Sequence, residues 1–344
     1  MRQLFIGDCH FGTSSNSVVW LENQLLFFNT KFIEVLNTKK ISRVVFLGDL
    51  FDIRYSVNQQ VGIEVKKLFR KILTNYNNIE FYFIAGNHDY YSPLEEFHDY
   101  NSYELIFGDE FEKFYGNMKI INNEPYYDGQ GNLYLPWYYT ENFQNFSNIL
   151  YSIDGDIKNI FCHDDLEKWD YSRSVALKGA QVWSGHIHNP KEFEENPNLH
   201  NLGAMFAFNF GDVNSERYMY ILEEDKIVEK IENDVTPKFK RFFNETIFDL
   251  TEEDFKNSYI QLCIFNTNIN KAKYIERIKE IKTKFADYNI RIKIIDNTFG
   301  ETLELNGFNT NIDNYIKENI PEYLNDKYNF VKEKLKQQQN NIIE

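Results

Sequence analysis

The sequence is poor in cysteine and has no long apolar run. Its three cysteines, Cys9, Cys162 and Cys263, are odd in number, far apart and outside any CxxC pair. This pattern excludes a disulfide framework and favours a reducing compartment. No stretch approaches the roughly 20 apolar residues that a membrane-spanning helix needs. Acidic and imidazole side chains also appear at Asp8 and His10, before a signal-peptide core develops. We therefore expect a soluble, cytoplasmic protein with no membrane partner.

Aromatic residues, in contrast, are abundant. They make up 17% of the 344 residues, with 31 Phe and 23 Tyr, and hydrophobic residues make up 42%. A chain this apolar does not remain disordered. Its length exceeds that of a usual single domain, so we expect a main domain with one or two smaller units.

The acidic excess lies in one part of the chain. The net charge is -15, but residues 236–344 hold 17 basic and 17 acidic residues, so the whole excess lies in residues 1–235. Bound divalent cations would neutralise part of it in place. Residues 271–293 have the opposite bias, with eight basic and three acidic residues. The basic helix predicted in this segment either contacts phosphates or presents a solvated charged face.

Short apolar runs alternate with helical patterns through the first half of the chain. The runs "QLFIG", "RVVFLG" and "IEFYFIAG" are separated by predicted helices near 18–39 and 62–74. This order is typical of βαβ units and a parallel sheet. The later runs "LYLPWYY", "NIFCHDD", "AQVWSGHIH", "RYMYIL" and "KIVEKIEN" indicate a second sheet that packs on the first. The pattern therefore predicts an α/β fold.

A boundary is predicted near Thr236-Pro237, followed by a small α+β unit with a basic helix near 270–285. Between Asn309 and Leu335, apolar residues recur at helical spacing and Pro321 divides the stretch into two helices. The predicted domains are residues 1–235, 236–300 and 301–344.

Five polar clusters follow predicted strands, and they use five of the seven histidines. They read "GDCH", "GDLFD", "GNHD", "CHDD" and "GHIH". In α/β sheets, functional sites lie beyond the carboxyl ends of the strands, so these clusters should converge. Their Asp, Asn and His side chains suit Mn, Fe or Zn, and they are too many for one ion. Two ions about 3.5–4 Å apart can clamp a phosphoryl group during in-line displacement, and one carboxylate can bridge them. Asp49 is placed to be that carboxylate.

These clusters resemble those of the calcineurin-like metallophosphoesterase superfamily. "GDLFDIR", "LPWYYTEN", "VWSGHIH" and "FNFGD" are similar to motifs of the SbcD-like nuclease subunits, in particular the phage-encoded recombination endonuclease subunits. The resemblance covers about residues 1–235 by motif. It implies a four-layer α/β/β/α sandwich, a small α+β capping domain that contacts DNA, and C-terminal helices. The implied function is a Mn-dependent DNA exonuclease and endonuclease that processes DNA ends in recombination, repair and replication.

The resemblance also implies residue roles. One metal would be held by Asp8, His10, Asp49 and His188, and the second by Asp49, Asn87, His163 and His186. His88 would protonate the leaving oxygen or stabilise the charge that develops there, and Asp89 would orient an imidazole. Asp52 either positions groups near the scissile phosphate or makes a hydrogen bond within its own loop. Mn²⁺ is the favoured metal, with Mg²⁺, Fe²⁺ and Zn²⁺ as alternatives.

The implied partners are DNA, a second copy of the chain and an SMC-like ATPase (SbcC-like). The ATPase would bind the C-terminal helices, which otherwise pack on their own domain; if the chain is phage-encoded, the compartment is the host cytoplasm. The alternative function is another metallophosphoesterase, either a small-molecule phosphodiesterase or a protein phosphatase. A scaffold that has lost its chemistry is disfavoured because all five clusters are intact.

Overall fold

The computed structural model describes residues 1–92, 99–141, 143–169, 177, 179–213, 215–223, 225–265, 271–285, 289–295 and 302–305. The chain divides into two compact units, Met1–Phe239 and a second that begins at Lys240. The predicted helices between Asn309 and Leu335 lie outside the described residues. The predicted boundary at residues 300 and 301 stays a prediction.

The strands of the described residues, in chain order, are β1 (Arg2–Ile6), β2 (Arg43–Phe46), β3 (Glu80–Ile84), β4 (Met118–Ile121), β5 (Tyr126–Tyr127), β6 (Asn132–Tyr134), β7 (Asn159–Cys162), β8 (Gln181–Ser184), β9 (Lys191–Glu192), β10 (Leu199–Asn201), β11 (Tyr218–Glu223), β12 (Lys226–Glu232), β13 (Lys238–Phe243), β14 (Ser258–Phe265), β15 (Asn289–Ile295) and β16 (Thr302–Leu305). The α-helices are Val18–Phe27, Ile33–Thr38, Gln59–Asn75, Ser102–Ile106, Gly108–Phe114, Trp137–Glu141, Phe143–Ser152, Glu252–Phe255 and Lys271–Lys284.

Two six-stranded sheets form the first unit. The first has the order β12-β11-β1-β2-β3-β4, and the second has the order β5-β6-β7-β8-β10-β9. Strands β1 to β4 are parallel to one another, as are β6, β7, β8 and β10. Both sheets are mixed, because antiparallel strands are added at their edges. The predicted α/β fold is confirmed.

The alternation of side chains along the strands builds the layers. Val44 and Phe46 of β2 pack with the helices on the outer face of the first sheet. Val45, between them, points the other way and packs with Phe161 and Trp183 of the second sheet. The outer face of the second sheet buries a further cluster with the helix Phe143–Ser152. This period-two pattern gives the helix, sheet, sheet, helix order of a sandwich. Each fully buried side chain of this kind stabilises the fold by roughly 1.5–3 kcal/mol.

The strands from "RYMYIL" and "KIVEKIEN" are not in the predicted second sheet. They form β11 and β12, and β11 pairs antiparallel with β1 of the first sheet. The apolar alternation of "RYMYIL" is satisfied on either sheet, because both bury one face in the layer between them. Alternation alone therefore does not decide which sheet a strand joins.

The first predicted helix is one continuous helical segment that is interrupted by a π-helical turn. Residues Phe28–Phe32 form a π-helical turn between the helices Val18–Phe27 and Ile33–Thr38. The second pattern is the helix Gln59–Asn75, where the Asn58 side chain accepts from the Gln60 and Val61 amides at the N-terminus. Such a cap satisfies amides that have no partner within the helix. The predicted ends of the second helix, at 62 and 74, were within three residues of the observed ones.

The second unit is a small α+β structure. β14 and β15 are parallel and adjacent, and the helix Lys271–Lys284 lies between them in the chain. Apolar side chains of this helix and of both strands share one buried cluster. Within the described part of the chain, no helix is long and apolar enough to cross a bilayer.

Candidate metal centre

Five loops carry the predicted site residues, and each loop follows a strand of the two sheets. Asp8 follows β1, Asp49 follows β2 and Asn87 follows β3, while His163 follows β7 and His186 follows β8. These strands are parallel within each sheet, so their carboxyl ends reach a common edge. The amides of Cys9 and His10 donate to the Asp49 carbonyl oxygen at 3.0 and 2.9 Å. The first two loops are therefore fixed to each other by backbone hydrogen bonds.

The backbone of these loops is left-handed at three of the predicted ligands. His10, Asp49 and His186 have φ angles of 46°, 47° and 76°. A non-glycine residue in this region carries a conformational cost, and such residues cluster at functional sites. Gly185 also sits so close to the Asp8 carboxylate that a Cβ atom there would overlap it. The local sequence is thus shaped to bring these side chains together.

The inner group consists of Asp49, Asn87, His163 and His186. His163 Nε2 lies 3.0 Å from Asn87 Oδ1, 3.2 Å from Asp49 Oδ2 and 3.3 Å from His186 Nδ1. His186 Nδ1 is also 2.9 Å from Asn87 Oδ1. The other ring nitrogen of His163 donates to the Leu47 carbonyl at 2.7 Å. Because that bond holds the hydrogen on Nδ1, the lone pair of Nε2 faces the centre of the group, as in a metal-binding histidine.

The outer group consists of Asp8, His10 and His188, whose ligand atoms all lie within 4.8 Å of one another. His188 Nε2 is 3.2 Å from His10 Nε2 and 3.9 Å from Asp8 Oδ2. Asp8 Oδ1 accepts from the His186 amide at 3.1 Å. Asp8 Oδ2 is buried and has no hydrogen-bond partner among the described residues. A buried carboxylate oxygen in that position is costly unless a cation satisfies it.

Asp49 lies between the two groups. Its Oδ2 atom is 3.2 Å from His163 Nε2 and 3.6 Å from His10 Nε2. Its Oδ1 atom accepts from the His88 amide at 2.8 Å. The single oxygen Oδ2 is therefore the atom that both groups share. The structure brings the residues together in the two sets that the sequence predicted, and their roles as ligands stay predictions.

The electrostatics of both groups favour a bound cation. Burial disfavours the charged form of His163, but the Asp49 and Asp8 carboxylates outweigh it and raise its pKa to about 10. Burial opposes ionisation of Asp49 as well, yet the charges of His163 and His10 hold its pKa well below the usual range. A protonated imidazole cannot bind a metal, so a divalent cation would take the place of the His163 proton and would interact with the same carboxylates.

His186 and His188 differ from His163 in their protonation. Burial, together with the neighbouring charge of His163, lowers the pKa of His186. Burial also lowers the pKa of His188, and His10 adds to the effect. Both rings are thereby kept in the neutral form that binds a metal ion. The donor set of oxygens and imidazoles fits divalent Mn, Fe or Zn.

His88 stands beside the outer group and is only half buried. Its ring donates from Nδ1 to the Asp52 carbonyl oxygen, and its edge meets the His10 ring with centroids 4.9 Å apart. A carbonyl oxygen only accepts, so Nδ1 carries a hydrogen and Nε2 is the atom left to face a substrate. The Asp52 carboxylate contacts His10 Nδ1 at 3.2 Å. Asp52 thus contacts both rings, with its carboxylate on one and its backbone on the other.

Asp89 differs from its predicted contact. Among the described residues its carboxylate accepts from the amides of Gly86, Phe51 and Leu50, at 2.9, 3.2 and 3.3 Å, and not from an imidazole. Burial, and then the charge of Asp49, raise the pKa of Asp89 to about 7. Its contacts join the second and third loops. The reason for the difference is that Asp89 is fully buried and both carboxylate oxygens already accept from backbone amides, with the Ser102 hydroxyl as a further donor.

Arg217 and Asp212 also contact the outer group, and sequence reasoning did not assign them a role there. Arg217 donates to the His188 carbonyl oxygen. Asp212 Oδ1 pairs with Arg217 Nη2 at 2.9 Å and lies 3.8 Å from His188 Nδ1. Asp212 is the last residue of the motif "FNFGD", which supported the family resemblance but did not indicate that Asp212 lies near His188. The sequence did not mark Arg217 as a site residue, because a single arginine before a strand is not distinguishable from an ordinary surface arginine.

A family model described as calcineurin-like phosphoesterase matches residues 1–234. The chain belongs to this family. No curated protein sequence matches it at a significant level. Among solved structures, TT1561 of Thermus thermophilus is similar at 11% identity with a TM-score of 0.41; the match covers 67% of this chain and 98% of that one.

As a member of the calcineurin-like phosphoesterase family, the chain is a metal-dependent phosphoesterase. The matched residues 1–234 contain every member of the inner and outer groups as well as His88. Part of the acidic excess of the first 235 residues lies in these ligand groups, where a bound metal would neutralise it.

Proposed function

We propose that this phosphoesterase is a two-metal DNA nuclease, the SbcD-like catalytic subunit of a complex with an SMC-like ATPase. The observation that carries the proposal is the shared oxygen Asp49 Oδ2 between two ligand groups, with His88 held beside them. The two groups together offer more ligand side chains than one ion can bind. Two divalent ions would activate water and neutralise the charge of the phosphodiester.

The inner group would hold one ion through Asp49, Asn87, His163 and His186. The outer group would hold the other through Asp8, His10 and His188, with Asp49 shared. Mn²⁺ is the proposed metal because the resemblance to SbcD-like nuclease subunits implies it, and the mixed oxygen and imidazole ligands are compatible with it. Cys9, beside Asp8, is fully buried, and burial raises the pKa of its thiol well above the usual range. A neutral thiol is a poor metal ligand, which supports leaving it out.

His88 would act on the leaving oxygen. Its Nδ1 is engaged by the Asp52 carbonyl, so a proton delivered to the substrate would come from Nε2. A group of this kind typically contributes about 100- to 10,000-fold to the rate. His88 belongs to neither the inner nor the outer group, and its half-buried position leaves it able to reach a substrate.

DNA as the substrate is supported by the second unit of the chain. The helix Lys271–Lys284 presents four exposed lysines, Lys273, Lys279, Lys282 and Lys284. Its arginine, Arg277, instead donates to the backbone oxygens of Phe248 and Leu250 and so fixes the helix within its own unit. Lys273 and Lys284 also lie over the rings of Phe248 and Phe285. Exposed lysines on one helix are suited to phosphate contacts. A small-molecule phosphodiesterase needs no such second unit.

The proposed protein partners are an SMC-like ATPase and a second copy of the chain. The ATPase would bind the amphipathic stretch Asn309–Leu335, whose apolar positions include many aromatic residues of the kind that anchor interfaces. Copurification of the ATPase with a chain that ends at residue 308 tests this. Undiminished copurification would contradict the assignment.

The proposed activity is tested by His88→Ala on linear duplex and single-stranded DNA, with Mn²⁺ and then Mg²⁺. We expect the wild type to degrade DNA with Mn²⁺, while the variant binds the same amount of metal and cuts about 100- to 10,000-fold more slowly. The matched control is His200→Gln. His200 stacks on Trp183 and contacts Gln181 and Glu192, and it belongs to neither ligand group.

Hydrolysis of a small phosphodiester without cutting of DNA, even with the ATPase present, would contradict the nuclease proposal. That result would favour the alternative, a small-molecule phosphodiesterase. Equal rates for His88→Ala and the wild type would contradict the role of His88 alone.

A further inference from the structure

A cavity of about 370 Å³ is lined by residues that follow the loops of Asp52 and Asp89, including Arg54, Tyr55 and Tyr91. Its apolar wall is formed by Tyr55, Tyr91, Tyr100 and Leu105. These side chains are 74%, 46%, 65% and 66% exposed. Pockets that hold small organic groups fall in about this size range, roughly 300–1,000 Å³. Large apolar side chains that are exposed together around one cavity are typical of a ligand-binding or interaction site.

The cavity is built on the same loops as the metal centre. Arg54 and Tyr55 directly follow the loop of Asp52, whose carboxylate contacts His10. On the opposite wall, the Ser102 hydroxyl donates to Asp89 at 3.2 Å, and its amide donates to the Asp89 carbonyl at 2.8 Å. Because the Asp89 carboxylate also binds the amides after β2 and β3, both walls are fixed relative to the ligand loops.

Two tyrosines on the cavity wall are arranged for stacking. The rings of Tyr55 and Tyr91 meet edge to face, with centroids 5.8 Å apart and planes at 83°. In this geometry the edge of one ring meets the face of the other, which fixes their relative orientation, and Tyr55 is the more exposed of the two. Proteins that bind single-stranded nucleic acid use such faces to stack bases without regard to sequence.

The charges around the cavity favour a base over a phosphate. Arg54 lies over the Trp137 ring at 5.9 Å, and the Trp137 amide donates to Ala85, next to the third ligand loop. Asp99 and Glu104 are also part of the wall. Carboxylates repel a phosphate, but they accept hydrogen bonds from the amino groups of bases. Arg54, the basic side chain in the described lining, has the two donors that match a phosphate.

We propose that this cavity binds an unstacked nucleobase of the substrate strand, with Tyr55 as the stacking ring, Tyr91 as the ring that supports it edge to face, and Arg54 on the adjoining phosphate. The proposal rests on the nuclease function proposed above. It makes the base beside the scissile bond, and not only the backbone, a determinant of cutting. Strands with unpaired ends would be preferred over fully paired duplex, because a paired base is not available to the cavity.

The test compares two single-stranded oligonucleotides that differ only in one nucleotide near the scissile bond. One carries an ordinary base, and the other carries a tetrahydrofuran abasic residue, moved one nucleotide at a time along the strand. The measured quantity is the ratio of kcat/KM for the two substrates. For the wild type we expect a ratio of about five- to hundredfold in favour of the base, since this is what stacking of one base contributes. Tyr55→Ala and Tyr91→Ala should bring the ratio close to unity.

Two further variants make the result specific. Tyr55→Trp keeps an aromatic face and should keep the ratio. Tyr151→Ala removes a tyrosine that is 70% exposed on the helix Phe143–Ser152, outside the cavity, and should leave the ratio unchanged. Fluorescence of 2-aminopurine at the same nucleotide gives a second readout. It should be quenched on binding to the wild type and not on binding to Tyr55→Ala.

Equal cutting of both oligonucleotides by the wild type at every position would overturn the proposal and leave the nuclease function standing. Loss of ATPase copurification in Tyr55→Ala, with an unchanged cutting ratio, would also overturn it, because the cavity would then be a protein-binding site. Failure of the wild type to cut either oligonucleotide, with or without the ATPase, would instead contradict the proposed function and this inference with it.

Discussion

The inner and outer ligand groups are built from similar side chains but are held in different ways. In the inner group, His163 is fully buried and bound to the Leu47 carbonyl, and Asn87 Oδ1 touches both imidazoles. In the outer group, Asp8 and His10 are also buried, and His188, like His186 of the inner group, is only partly buried. The two groups therefore differ in the contacts that support their rings and not in exposure.

The outer group depends on other side chains for its positions. The Asp52 carboxylate holds the His10 ring, and the Arg217 guanidinium holds the His188 backbone. His88 also lies on this side. We therefore expect the inner ion to be the more tightly bound, and the outer ion to be the one that changes most when neighbouring residues are replaced.

The largest expected effect is that of Asp49→Asn, because it removes the charge that both groups share. Affinity for both ions should fall by more than the roughly 10- to 100-fold that loss of an orienting residue costs. The measurement is Mn²⁺ bound per chain across a titration. Asp234→Asn, the same change at a surface residue paired with Lys31, serves as the control. Retention of one ion at wild-type affinity would show that Asp49 is not shared.

A smaller effect is expected for Asp52→Asn, which should separate the two groups. The substitution keeps the backbone carbonyl that binds His88 and removes the carboxylate on His10. Affinity for the outer ion should fall by about 10- to 100-fold, while that of the inner ion stays the same. A competition titration with a metal-sensitive dye resolves the two steps. An equal loss in both steps would contradict the separation of the groups.

The sequence was sufficient to predict the ligand loops because their chemistry is local. Each strand ends in a short apolar run that is followed by Asp, Asn or His, and parallel strands place such ends at one edge. The α/β class and the parallel pairing of β1 to β3 were therefore predictable from the pattern.

Long-range contacts were not predictable in the same way. The contact of Arg217 with the His188 carbonyl joins residues 29 positions apart, and no pattern at Arg217 marks it. The resemblance implied that Asp89 orients an imidazole, but its buried carboxylate accepts from backbone amides. The placement of β11 beside β1 depends on sheet order, which an apolar alternation does not encode.

The central claim is that the two histidines of "GHIH" serve different ions, although one residue separates them. His186 Nδ1 lies 2.9 Å from Asn87 Oδ1 in the inner group, and His188 Nε2 lies 3.2 Å from His10 Nε2 in the outer group. The most direct test counts Mn²⁺ per chain in His186→Ala and His188→Ala, each with and without Asp52→Asn. Each single variant should keep one ion, and Asp52→Asn should weaken the remaining ion only in His186→Ala. Loss of the same ion in both variants, or an equal response to Asp52→Asn, would contradict the account.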